Sequence, residues 1–189
     1  MKKQNMRPHL DSLEITWPFD ESPDTSYLGE YTSREPDNYD INQGNAIKRH
    51  NADWREHKFW VPANSADYHR ASLGKMGYSR GVADYLARKY VREDYERCEH
   101  LNNGDWCFLG CVARAHVSYP TGQNGGRRLE RFDSGGLWGI ESDSDASYLN
   151  EVSREELADL KNHLTRFGVD LSNWDALAAG ALDKMDRAA

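Results

Sequence analysis

The chain has 189 residues, which is enough for one domain with additional segments and too few for two full domains. Its formal net charge of -7 and isoelectric point near 5.5 argue against a general nucleic-acid binder, because phosphate contacts need clustered lysines and arginines. Hydrophobic residues make up 38% of the chain and its mean hydropathy is -0.89, but 6 Trp and 10 Tyr exceed what a disordered chain carries. We therefore expect a folded domain with long polar connections.

The acidic residues are concentrated in two runs, 20–40 and 141–159. Each run has seven Asp or Glu against one Arg, for a net charge of -6. The segment 48–100 between them is mildly basic, with eleven Lys or Arg and eight Asp or Glu. This distribution suits self-association or attraction to a partner with a basic surface, and ordinary solvated faces are the alternative.

Cysteine usage and hydropathy indicate a cytoplasmic protein. Three cysteines without C-x-x-C spacing point to a reducing compartment: Cys98, Cys107 and Cys111. No stretch approaches the roughly 20 apolar residues of a transmembrane helix, and no apolar run of signal-peptide length follows the basic start. We expect no membrane contact and no cofactor.

Residues 1–50 are predicted to form an irregular N-terminal arm that packs on a single α+β domain formed by residues 51–189. Many Asp, Ser and Asn residues in this segment interrupt every hydrophobic period. Four prolines do so as well, namely Pro8, Pro18, Pro23 and Pro36.

A helix is predicted over residues 80–100, because apolar residues recur there at spacings of three and four. This stripe, which we expect to face the core, consists of Val82, Tyr85, Leu86, Tyr90, Val91, Tyr95 and Cys98. Arginines and tyrosines alternate along the same helix, which is one pattern for binding single-stranded nucleic acid. Acidic residues on the helix cancel that charge, so we do not expect direct nucleic-acid binding.

An antiparallel hairpin is predicted next, with Trp106–Tyr119 as its first strand and Arg127–Phe132 as its second. In the first strand one face is apolar or small while Arg114, His116 and Ser118 point to the other. The turn residues of 120–126 connect the two strands. The apolar face should belong to the core.

Two further helices are predicted after the hairpin. Ser153 and Glu156 form a capping box for a helix over residues 153–167, which Gly168 ends. An Ala-rich helix extends to about Met185. The fold class is therefore α+β: a small antiparallel sheet built on one clear hairpin, packed by two or three helices, with an irregular N-terminal arm.

The segment Phe132–Leu149, FDSGGLWGIESDSDASYL, carries the most specific pattern in the chain. Its D-S-G-G is similar to that of trypsin-like proteases, but serine catalysis needs an oriented histidine and two barrels, which this chain does not offer. We therefore assign Ser134 to a Gly-Gly bend that ends a strand. We expect no catalytic residue here.

Alternating carboxylates at Glu141, Asp143 and Asp145 could bind a hard cation. An EF-hand loop starting at Asp143 would need glycine at Tyr148 and glutamate at Arg154, so that motif is excluded. Metal binding of another kind stays open beside the alternative that Ser142, Asp143 or Ser144 caps the next helix. No zinc-ligand spacing and no complete phosphate-binding loop occur.

Gly104-Asp105-Trp106 stands before a predicted strand, and Trp17-Pro18-Phe19 is followed by Asp24 and Tyr27-Leu28-Gly29. Together with the 134–148 pattern S-G-G-L-x-G-I-E-S-D-S-D-x-x-Y, these stretches resemble a group of small uncharacterised proteins encoded by phages, prophages and plasmids. The resemblance implies an accessory protein of a mobile element in a bacterial host. No catalytic role comes with it.

The first functional hypothesis is a non-enzymatic acidic protein-binding module that inhibits a host-defence complex, as anti-CRISPR and anti-restriction proteins do. Its contacts with a basic host protein would be Trp138, Glu141, Asp143, Asp145 and Tyr148. The alternative is a small Mg²⁺-, Mn²⁺- or Ca²⁺-dependent enzyme that uses the same carboxylates. A structural or assembly accessory of a virion is a third hypothesis, and a homo-oligomer is left open.

Overall fold

The computed structural model describes residues 7–49, 57–121 and 126–186. Its helices and antiparallel sheets confirm the predicted α+β class. The chain divides into two compact units, of which unit 1 comprises Met1–Pro23 and Cys107–Ala189 and unit 2 comprises Asp24–Trp106. The predicted division at residue 50 falls inside the range of unit 2 and stays a prediction.

The described residues contain seven strands and five helices. The strands are β1 (His9–Thr16), β2 (Glu30–Thr32), β3 (Ile47–Lys48), β4 (Phe59–Val61), β5 (Phe108–Thr121), β6 (Gly126–Asp133) and β7 (Leu137–Glu141). The helices are α1 (Asn38–Gln43), α2 (Ala66–Lys75), α3 (Arg80–Asn103), α4 (Ala146–Arg166) and α5 (Trp174–Asp186). None of these helices is long and apolar enough to cross a membrane.

Unit 1 is built on the long central strand β5. The predicted hairpin is confirmed, because β5 pairs antiparallel with β6 in the register that places Ala115 opposite Phe132. Strand β1 pairs with β5 as well, and β7 pairs with its first residues, so the sheet is antiparallel throughout. The alternation in β5 gives one fully buried face, on which Ala113, Ala115 and Val117 are 0% exposed.

Helices α4 and α5 pack against this sheet and complete the core of unit 1. Apolar residues of α4 recur at three and four and face the sheet, as expected for an amphipathic helix. The buried cluster consists of Leu10, Leu13, Ala113, Ala115, Val117, Leu157, Leu160, Leu164, Val169, Trp174 and Ala181. Gly168 ends the helical segment with a left-handed φ of 68°, as predicted.

The segment predicted to be irregular contains β1, β2, α1 and β3 among its described residues. Strand β1 is hidden in the sequence because a bulge shifts its register between Leu10 and Ser12. Leu10 and Leu13 are both buried although they are three residues apart, which breaks the two-residue alternation by which strands are recognised. The irregular interpretation of this segment is therefore wrong for the residues that form these elements.

The start of α4 also differs from the predicted helix. The helix begins at Ala146 and is capped by Asp145, eight residues before the predicted cap Ser153. Ser153 is fully buried inside the helix, and its hydroxyl donates to the carbonyl of Leu149 at 2.7 Å. The S-x-x-E spacing is therefore not a capping box, because its serine hydroxyl donates to a carbonyl of the preceding helical turn.

Unit 2 combines a small antiparallel sheet, in the order β2-β4-β3, with helices α1, α2 and α3. The predicted helix α3 is confirmed, with Ser79 as its N-cap and Gly104, at φ 78°, as its C-cap. The core of unit 2 consists of Trp60, Ala66, Ala87, Val91 and Cys98. The three cysteines of the protein are free thiols.

The buried face of α3 differs from the predicted stripe at three positions. Val82 is 45% exposed, Tyr85 68% and Tyr90 36%, so their assignment to the core is wrong. The buried residues are Ala83, Ala87, Val91 and Cys98. The small alanines allow α2 and α3 to approach closely. The prediction followed the large apolar side chains of α3 and therefore missed the face that carries these alanines.

Candidate functional site

The acidic bend, residues 141–145, lies between β7 and α4 and is tied to the beginning of β5. The amide of Ser142 donates to the carbonyl of Cys107 at 2.8 Å, and the amide of Cys107 donates to the Ser142 hydroxyl at 2.9 Å. The amide of Ser144 closes the turn by donating to the carbonyl of Glu141 at 3.0 Å. These backbone contacts hold the bend in one conformation.

Asp145 begins α4 with its own carboxylate. Its Oδ1 accepts the amide of Tyr148 at 3.0 Å and the hydroxyl of Ser147. These hydrogen bonds, chiefly the one from Ser147, hold the pKa of the Asp145 carboxyl below its usual range. The helix cap predicted for Ser142, Asp143 or Ser144 therefore lies one residue further along, at Asp145, and its charge lies at the positive end of the helix dipole.

Trp138 lies on β7 with its ring against a glycine of the neighbouring strand. A Cβ added at Gly110 of β5 would lie 2.5 Å from Trp138 Cε3, so only glycine allows this approach. Gly136 and Gly139 flank the tryptophan with φ angles of 77° and 76°, which favour glycine. The ring is thus fixed against the sheet, and 48% of the residue is exposed.

The five predicted partner-binding residues lie on one continuous stretch of structure. Trp138 and Glu141 belong to β7, Asp143 and Asp145 to the bend, and Tyr148 to the first turn of α4. Asp143, Asp145 and Tyr148 are exposed, whereas Glu141 is half-buried. The structure therefore presents most of this set at the surface of unit 1.

Asp20 is an acidic residue of the same region that the sequence analysis did not include. Its amide donates to the carbonyl of Phe108 at 2.9 Å, and its Oδ2 accepts the amide of Gly139 at 3.1 Å. It lies 119 residues before Gly139, so no local pattern could have indicated the contact. Part of the first acidic run thus reaches the strand that carries Trp138.

Ser134 has a structural position, as expected for a bend that ends a strand. Its amide donates to the carbonyl of Ala113 at 2.8 Å, and its Oγ accepts the amide of Ala113 at 3.0 Å. Ser134 is 8% exposed. Its hydroxyl therefore extends the pairing between β5 and β6 beyond Asp133.

The carboxylates of the acidic bend do not form a metal-binding set. Within residues 7–49, 57–121 and 126–186, no three His, Cys, Asp or Glu side chains are grouped so that they could hold a metal ion. Hard cations need several converging oxygen ligands, and Asp145 uses Oδ1 to cap α4. The geometry therefore gives no specific support to the alternative of a metal-dependent enzyme.

Comparison with known proteins gives no family for this chain. No protein-family model matches it, no curated protein is significantly similar to it, and no solved structure matches it. The resemblance to proteins of mobile elements therefore remains an expectation from sequence motifs.

Proposed function

We propose that unit 1 is a non-enzymatic protein-binding module whose contact surface is formed by Trp138, Tyr148 and the acidic bend. The observation that carries this proposal is the position of Trp138, which is half exposed and held against Gly110 between two left-handed glycines. Large aromatic side chains dominate the energetics of protein interfaces, and a ring that is already fixed loses little entropy on binding.

The charge around this tryptophan defines the kind of partner. Exposed Asp143 and Asp145 follow Trp138 in the same segment of chain, and Asp20 accepts a hydrogen bond from the amide of Gly139 in the strand that carries Trp138. The chain as a whole carries a net charge of -7. A basic protein surface complements this arrangement, and long-range attraction would increase the association rate.

The expected origin in a mobile element suggests the class of partner. Host-defence complexes that handle DNA have basic channels, and carboxylates on a fixed surface can occupy the positions of phosphates in such a channel. The function we propose is therefore inhibition of a host-defence protein or complex through an anionic surface. The aromatic contact at Trp138 would give this interaction specificity that charge alone does not provide.

Affinity capture from a bacterial lysate followed by direct binding tests this proposal. The wild-type chain should retain one host protein in stoichiometric amount, identified by mass spectrometry and then purified. Trp138→Ala should weaken binding of that protein at least tenfold, to about the extent of a typical aromatic hot spot. The double substitution Asp143→Asn and Asp145→Asn should also weaken binding relative to the wild type. This difference in affinity should grow as the salt concentration is lowered, because charges are screened less at low salt.

The variants are chosen so that folding is preserved. Asparagine caps helices as well as aspartate does, so Asp145→Asn removes the charge and keeps the start of α4. Asp159→Asn, at an exposed position in the middle of α4, removes one charge away from the acidic bend and serves as the matched control. Equal binding by the Trp138 variant, the double variant and this control would contradict the proposal.

A further inference from the structure

Unit 2 contains an open cleft of about 840 Å³ bounded by α1, α2 and α3. This volume lies within the range of pockets that take small molecules, roughly 300–1,000 Å³. Its lining combines arginines with two tyrosines, whereas the acidic bend belongs to unit 1. The inference drawn from this cleft does not depend on the proposed function.

Arg70 organises one wall of the cleft. Its Nε donates to Asp84 Oδ1 at 2.7 Å, one terminal nitrogen donates to Asp67 Oδ1 at 2.5 Å, and the other donates to the carbonyl of Gln43. Arg88 donates its Nε to the second oxygen of Asp84 at 3.1 Å. Both carboxylates of the lining are thus paired with arginines, and Arg70 and Arg88 lower the pKa of the Asp84 carboxyl.

Arg80 is the third arginine of the lining and has no hydrogen-bond or ion-pair partner among the described residues. Three arginines against two aspartates leave the lining with a formal charge of +1, within a chain whose net charge is -7. Arg80 also lies in the first turn of α3, where backbone amides and the helix dipole favour negative charge. The charge available to a ligand is therefore positive.

Two glycines keep the cleft open. Gly74 of α2 and Gly81 of α3 line it, and a Cβ added at either position would meet no atom within 4 Å. Neither has a left-handed φ, so neither backbone conformation nor packing requires glycine there. A helical glycine alone indicates no site, since Gly180 of α5 is equally open. Here the missing side chains add to the space beside the unpaired arginine.

The cleft also offers flat apolar surface. Tyr39 and Tyr78 line it and are 60% and 48% exposed. Aromatic rings of this kind stack on planar groups of ligands, and guanidinium groups bind phosphates. We propose that this cleft binds a nucleotide, with the phosphate held by Arg80 at the start of α3 and the base against the tyrosines.

Isothermal titration calorimetry on the full chain at low salt tests this inference with AMP, GMP, CMP and UMP. At least one of the four should bind with a dissociation constant of about 1 mM or below. Inorganic phosphate and the nucleoside of the nucleotide that binds, titrated separately, should each bind more weakly than that nucleotide. Saturable binding of none of the four nucleotides, or phosphate binding as tightly as any of them, would overturn the proposal.

Two substitutions address the cleft itself. Arg80→Gln should weaken nucleotide binding at least about tenfold, because a charge-assisted hydrogen bond to phosphate is lost. Gly74→Leu should weaken nucleotide binding by narrowing the cleft, and the Cβ that it adds would meet no atom within 4 Å.

Matched controls separate these effects from changes in folding. Arg92→Gln removes an exposed arginine of the same helix that does not line the cleft, and Gly180→Leu adds a leucine at an open glycine of α5. Both controls should bind the nucleotide as the wild type does, and all variants should keep the wild-type circular dichroism spectrum. Nucleotide binding that is unchanged in Gly74→Leu, or that is weakened equally in the controls, would refute the assignment.

Discussion

The position of Trp138 depends on a single glycine of the neighbouring strand. Trp138 can lie against the sheet because Gly110 has no side chain. The sequence marks Trp138 as a candidate contact residue but not Gly110, since a glycine inside an apolar strand usually weakens that strand. A contact between two strands cannot be recognised until their pairing is known.

Gly110→Ala should displace Trp138, because the added Cβ would lie 2.5 Å from the ring. We expect a loss of about 1–3 kcal/mol in the free energy of unfolding, as for other overpacked positions, and a shift of one indole N–H signal in the NMR spectrum. Gly135→Ala is the matched control, since its Cβ would meet no atom within 4 Å. An unchanged indole signal in Gly110→Ala would contradict the described packing.

Cys111 gives a prediction for alkaline pH. It is fully buried, its Sγ lies 3.9 Å from Ser153 Oγ, and burial raises the pKa of its thiol from 9.0 to about 11. Between these values the unfolded chain loses the thiol proton while the folded chain keeps it, so folding becomes less favourable as the pH rises. The contribution of the Cys111 thiol to the free energy of unfolding should be complete below pH 9. It should fall by at most about 3 kcal/mol between pH 9 and pH 11.

The measurement compares urea unfolding of the wild type with that of Cys111→Ala from pH 8 to pH 11. The stability difference between the two should shift in favour of the variant as the pH rises, because alanine has no thiol to ionise. Cys107→Ala is the control for a cysteine that is not fully buried. A difference that does not change with pH would show that the Cys111 thiol ionises equally in both states.

Elements with clear beginnings and ends were predictable, and those with interrupted patterns were not. Strand β5 alternates between buried and partly exposed residues from Ala113 to Val117, and α3 lies between Ser79 and Gly104, so both are visible in sequence. Strand β1 is hidden by its bulge. The strands of unit 2 have two or three residues and pair across distant parts of the chain, which leaves no local pattern.

The candidate site shows the same limit at the level of elements. The acidic bend was recognised as one segment, but the predicted helix was started at Ser153, because Ser153 and Glu156 have the spacing of a capping box although they lie inside α4. The N-cap preference of aspartate is the signal that identifies Asp145. The contribution of Asp20 depends on strand pairing and could not be derived from local sequence.

Two valines on α3 test the corrected orientation of that helix. Val91 is 1% exposed and Val82 is 45% exposed, so the same substitution probes both faces. Val91→Ala should lower the free energy of unfolding by about 2 kcal/mol through lost burial and a cavity. Val82→Ala should change it by less than about 0.5 kcal/mol, since alanine is the better helix former. If denaturant unfolding shows equal losses of unfolding free energy for the two variants, the stripe predicted from sequence would be favoured.

At the scale of the whole molecule, unit 2 interrupts the chain of unit 1 between Pro23 and Cys107. The two segments of unit 1 meet directly beside this interruption, because the amide of Asp20 donates to the carbonyl of Phe108. Insertions of folded units are tolerated where the flanking residues are close in space. Each unit also has its own buried cluster.

Removal of residues 24–106 and their replacement by a short Gly-Ser linker should therefore leave a folded unit 1. We expect the shortened protein to unfold cooperatively and to keep the NMR signals of the β5–β6 hairpin. A variant in which the same linker replaces residues 122–125, between β5 and β6, is the control for tolerance of a linker. A shortened protein that stays unfolded would mean that unit 1 needs residues of the removed segment.

The cap at Asp145 has a consequence for how this protein can diversify. A change at Asp143 does not remove the cap of α4, whereas a change at Asp145 must preserve the beginning of that helix. Aspartate, asparagine, serine and threonine satisfy that second demand, and only the first of them is anionic. One substitution can thus switch the charge at position 145 on or off while the start of α4 stays the same.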